Sequence, residues 1–72
     1  MDEDRTNPLG AGDLRVLLHR LNNQLGVILA NAELLEAKTP DVNQRVRASA
    51  IVNAALEAMT VTRSIRETLD RR

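Results

Sequence analysis

The apolar residues Leu14, Leu18, Leu21, Leu25, Ile28, Ala32 and Leu35 advance along the chain in alternating steps of four and three. Only an α-helix gathers residues with that spacing onto one face, and a heptad pattern sustained this long is the pattern of a helix that packs lengthwise against others. The pattern breaks once, at "KTPD". Lys38 suits a helix C-terminus, Thr39 a cap, Pro40 the first position of a new helix and Asp41 the positive end of its dipole. Beyond the break a second stripe runs through Ala48, Ile51, Val52, Ala55, Ala58, Met59, Thr62, Ile65 and Leu69, with Leu56 at its edge. Asp41 and Arg45 are placed one turn apart, as a favourable pair. Two helices, about 13–38 and about 40–70, joined by so short a turn must run antiparallel.

The preceding segment, "MDEDRTNPLGAG" at residues 1–12, has Pro, two Gly, several charges and no apolar period. It reads as a flexible N-terminal tail, with Asp13 as the N-cap of the first helix and residues 13–72 as the domain. At 72 residues the chain has little apolar area to bury, and it lacks the usual staples of small domains. There is no Cys for a disulfide, and the single His excludes a multi-histidine metal site within one chain, so no metal and no cofactor is expected. The economical solution is association. The expected fold is all-α: an antiparallel helical hairpin that dimerises into a four-helix bundle. Its dimer core would hold Leu14, Leu18, Leu21, Leu25, Ile28, Ala32 and Leu35 from the first helix and Ile51, Ala55, Ala58 and Ile65 from the second.

Composition narrows the function classes. Ten basic and ten acidic residues cancel, which argues against general binding to nucleic-acid phosphates or an anionic membrane, and the absence of Phe, Tyr and Trp removes base-stacking platforms. The longest strongly apolar run, Leu25 to Ala30, is too short to span a bilayer, and the acidic start is unlike a signal peptide, so a cytoplasmic location is expected.

The one histidine lies off the core. On a projection of 100° per residue Leu17, Leu18, Leu21, Leu25, Ile28 and Leu29 fall within about 60° of the core direction, and His19 about 140° away. Around His19 the outer face carries Val16, Val27, Ala30 and Leu34 with Asn23 and Gly26. Such a patch is either a docking surface or the far edge of a wide bundle stripe. No acid occurs between Asp13 and Glu33, only Arg15, His19 and Arg20. That stretch either attracts an acidic partner and stabilises a phosphoryl group, or simply solvates the helix.

The segment His19-Arg20-Leu21-Asn22-Asn23, followed by "VILANAELL" from Val27 to Leu35, resembles the dimerisation and histidine-phosphotransfer domain of two-component sensor histidine kinases, in the subgroup with an H-[DE]-x-N-N box. The resemblance covers roughly residues 13–70, the Ala-rich second helix included. It implies a homodimeric four-helix bundle in which His19 exchanges a phosphoryl group with the Asp of a response-regulator receiver domain. Asn23 then takes the position that orients a water for dephosphorylation, Asn22 supports the polar surface, and Arg15, Val16, Arg20, Gly26, Val27 and Ala30 meet the partner, a receiver domain or a histidine kinase. Two departures from the pattern bear on activity. Arg20 stands where the family has an acid, and Arg can neither accept a proton nor hold the imidazole as an acceptor. No Gly-rich phosphate loop or ATP-binding domain lies within these 72 residues, so they are not expected to form a complete kinase. The alternative is a phosphorylation-incompetent interaction module that binds a response regulator or kinase non-enzymatically, and the plainest reading is a purely structural dimer.

Overall fold

The computed structural model describes residues 10–71, which form two helices and the turn between them: α1, Ala11–Lys38, and α2, Val42–Asp70. The sequence gives both helices strong formers, and each exceeds the length that is marginal for an isolated helix. They run antiparallel and pack along their length. The expected all-α hairpin is therefore what the chain forms. No described helix is long and apolar enough to cross a membrane.

Helix ends differ from expectation by one or two residues, for identifiable reasons. α1 begins at Ala11 after Gly10, so Asp13 lies inside the first turn, where its charge faces the positive end of the dipole, and not at the cap. Gly10 offers no side chain to the free amides. The rest of the proposed tail, residues 1–9, lies outside the described residues. Pro40 is not the first helical residue of α2. Asp41 is its N-cap, with extended backbone, and Oδ1 accepts from the Gln44 amide at 3.2 Å.

The turn is braced from both sides. The Thr39 amide closes α1 onto the Leu35 carbonyl at 3.0 Å, and the Thr39 hydroxyl donates to Gln44 Oε1 at 3.1 Å while accepting from the Asp41 amide at 3.4 Å. Arg45 does not pair with Asp41. Its guanidinium donates to the carbonyls of Thr39 and Pro40 at 3.4 and 3.3 Å, while the Asp41 carboxylate is committed to its cap.

Each helix carries two columns of apolar residues, and the hairpin uses one from each. On α2, Ala48, Ala55, Thr62 and Leu69 recur every seven residues and are all buried. They face Leu18, Leu25 and Ala32 of α1, again seven apart, of which Ala32 is buried and both leucines half-buried, with Leu14 and Leu29 half-buried beside them. Ala at 48 and 55 leaves room for the other backbone to come close, and Ala48 is 0% exposed. The neighbouring columns stay outside. Leu21, Ile28 and Leu35 on α1 are 47–49% exposed, and Ile51 and Ile65 on α2 are 43% and 44% exposed, with Ala58 between them half-buried. Of the proposed dimer core, then, Ala32 and Ala55 are buried within the hairpin, Leu14, Leu18, Leu25 and Ala58 are half-buried, and Leu21, Ile28, Leu35, Ile51 and Ile65 remain on its surface.

Because the Asp41 carboxylate satisfies an otherwise unpaired amide at the start of α2, Asp41→Ala should lower the unfolding free energy by about 0.5–2 kcal/mol. Urea denaturation followed by far-ultraviolet circular dichroism measures this, with an unchanged slope expected if the hairpin itself is intact.

Candidate functional site

His19 sits in the first third of α1, two turns from its start, and its side chain is exposed. The α-helix sets what shares its side of the molecule. Residues three, four and seven positions away lie on the same strip, which places Val16, Asn23 and Gly26 around the imidazole and Ala30 one turn beyond Gly26. On a projection of 100° per residue His19 lies roughly 100° from the direction that faces α2 and the strip spans roughly 80–160°, on the other side from Leu21, Ile28 and Leu35. The hairpin therefore has an apolar flank and a histidine flank.

The two asparagines part company here. Asn23 is exposed beside His19, whereas Asn22 is half-buried and turned toward α2. The Thr62 hydroxyl has one proton and two acceptors within reach: the Met59 carbonyl of its own helix at 2.8 Å and Asn22 Oδ1 across the interface at 3.3 Å. Thr62 is the one buried polar residue described, and this pairing explains how it is tolerated. Among the described residues no buried side-chain nitrogen or oxygen lacks a partner. The Asn22–Thr62 contact places the two residues level with each other across the interface, near His19.

The cations around His19 are in different situations. Arg15 is engaged within the hairpin: its Nε lies 2.7 Å from Asp70 Oδ1, and a second nitrogen reaches the Leu69 carbonyl at 3.5 Å. Both side chains are about half exposed, so the pair contributes at most about 1 kcal/mol, but it places a positive charge at the C-terminal end of α2, where the helix dipole favours one. Arg20 is exposed, as are Val16 and Val27, at 57% and 56% for the two valines. Ala30 is exposed and Gly26 half-buried. No group of three or more metal-binding side chains occurs among the described residues.

Sequence reasoning missed three features: the Thr62 bond to Asn22, the Arg15–Asp70 pair, and a polar groove beside His19. Leu18, Asn22, Met59, Thr62, Arg63 and Arg66 line this groove, which lies between the helices. All three depend on which residue of one helix stands level with which residue of the other, and periodicity along a single helix carries no such information. A second, apolar groove is lined by Val27, Ile28, Asn31, Ala32, Leu35 and Ile51, near the turn.

Gly26 has no role in holding the hairpin together. A methyl group built at its Cα meets nothing within 4 Å, and its φ is negative, so neither a close contact nor the backbone requires glycine. A glycine in mid-helix nonetheless costs about 0.5–1 kcal/mol relative to Ala. Gly26→Ala should therefore raise stability by about that amount in thermal or urea unfolding, and a loss of stability instead would mean that the position is covered in the assembled protein. No protein-family model matches this chain, and comparison with curated proteins and with solved structures finds no match.

Proposed function

We propose that this chain is a histidine-phosphotransfer and dimerisation module of the two-component type. In this reading two hairpins pack through their apolar flanks into a four-helix bundle, leaving both histidine flanks outside. The observation that carries it is the placement of His19: the only histidine of the chain is exposed within His19-Arg20-Leu21-Asn22-Asn23, on the side of α1 away from the apolar flank.

The chemistry that follows is transfer between an imidazole nitrogen and a partner's aspartate. A nitrogen of neutral His19 attacks the phosphorus of an aspartyl phosphate, the P–N bond forms as the P–O bond breaks, and the aspartate leaves as a carboxylate. The chain's own residues supply access and surroundings. Exposure lets the nitrogen reach the phosphorus in line, and Val16, Gly26 and Val27 give a partner an apolar surface with which to exclude water. Arg20, adjacent in sequence, adds positive charge where a phosphoryl group would come to rest. Asn23, one turn on, is free of intramolecular bonds among the described residues and presents an amide that can orient a water, whereas Asn22 is turned toward Thr62.

Arg20 also favours a second reading. Without an acid after the histidine there is no acceptor to hold the imidazole for attack on ATP, and the same flank would serve as a non-enzymatic binding surface for a response regulator or kinase.

Incubation with a radiolabelled, phosphorylated receiver domain separates the two. Phosphotransfer predicts label on the wild-type chain in an acid-labile, base-stable bond, and none on His19→Ala with unchanged circular dichroism. The binding module predicts no label on either protein and equal receiver affinity for both. Label that persists in His19→Ala contradicts both readings.

A further inference from the structure

The groove between α1 and α2 beside His19 has a lining of one electrical character. Arg63 and Arg66 are three residues apart on α2 and lie on the same face, opposite Leu18 and Asn22, which bracket His19 in sequence. Leu18 and Met59 give an apolar floor, Asn22 and Thr62 a polar end, and no acidic residue lines the groove. Its volume is about 110 Å³, several times the roughly 10–15 Å³ that one water needs, so it has room for a carboxylate or a phosphate.

The acids nearby do not neutralise it. Asp70, the carboxylate at the end of α2, is taken by Arg15 at 2.7 Å, and that is the one ion pair among the described residues. Glu67 lies one turn beyond Arg63 but does not line the groove. α1 contributes no acid between Asp13 and Glu33. Two like charges one turn apart cost an isolated helix a few tenths of a kcal/mol. Each arginine also has an acid four residues on, Glu67 after Arg63 and Asp70 after Arg66, but neither acid forms an ion pair with it among the described residues.

We infer that the Arg63–Arg66 groove is an oxyanion subsite, and that its occupant is a carboxylate from an acidic protein surface docked over His19. A carboxylate fits both the charge and the donors. Guanidinium groups pair with carboxylates through two parallel N–H···O bonds, and both arginines are exposed and so within reach of a partner's side chain. A protein surface is favoured over a free anion because Val16, exposed on the adjoining side of α1, offers apolar contact that a small ion cannot use. The inference rests on the histidine flank being a docking face, not on phosphorylation.

The test uses the whole chain, isotopically labelled, and follows the arginine Nε–Hε resonances while a hexaglutamate peptide is added at low salt. Saturable shifts are expected at Arg63 and Arg66, with little change at Arg45 and Arg47 near the turn. The double variant R63Q/R66Q should weaken peptide binding about tenfold or more, whereas R45Q/R47Q, which removes the same charge elsewhere, should weaken it less than threefold. Inorganic phosphate is the second arm: binding to the same two arginines that is tighter than peptide binding would make this a small-anion site and overturn the assignment of its occupant. Equal losses in the two double variants would mean a diffuse charge effect and overturn the subsite itself. No phosphoryl donor is present, so failure here is distinct from failure of His19 to accept label.

Discussion

Each helix of this hairpin has two apolar columns and only one neighbour. That mismatch governs the rest of the structure. Ala48, Ala55, Thr62 and Leu69 meet the Leu18, Leu25 and Ala32 column closely, but three of the four buried apolar residues are alanines, and no large side chain among the described residues is fully buried. Such an interface fixes geometry more than it supplies energy. A half-exposed Leu or Ile leaves on the order of 1 kcal/mol of burial unrealised, and five such residues line the unused columns. The apolar flank thus holds stabilisation that the hairpin alone does not realise.

The same division sets where chemistry can occur. With one flank given to apolar columns, polar and special residues collect on the other: His19, Asn23, Gly26 and the Arg63–Arg66 groove. One of these, a glycine without a packing reason, is a cost for the isolated hairpin. Arg15 differs, because Asp70 and the end of α2 hold it. Within one short stretch of α1, therefore, one cation braces the fold while His19 and Arg20 remain open to solvent.

Much of the fold was legible in the sequence because it depends on local signals. The heptad spacing of α1 and the stop at "KTPD" are read along one chain, and both helices appear where those signals put them. The ends moved because a cap is decided by one side chain: Asp41 reaches the Gln44 amide and so takes the cap, which leaves Pro40 in the turn. What periodicity did not separate was which of two adjacent columns turns inward, since Leu18 and Leu21 both belong to the same broad stripe. The exposure of His19 followed from its angular distance from that stripe. The fate of Asn22 did not, because its partner, Thr62, is forty residues away and depends on register.

In the proposed bundle the exposed columns of Leu21, Ile28, Leu35, Ile51 and Ile65 meet a second copy. Sedimentation equilibrium of the intact chain, run with helicity measured at the same concentrations, tests it most directly. A dimer gives twice the 8.0 kDa chain mass at micromolar concentration, and the L21Q/I28Q variant is expected to lose both the dimer and most of the helicity. A monomer that stays fully helical at those concentrations would contradict it.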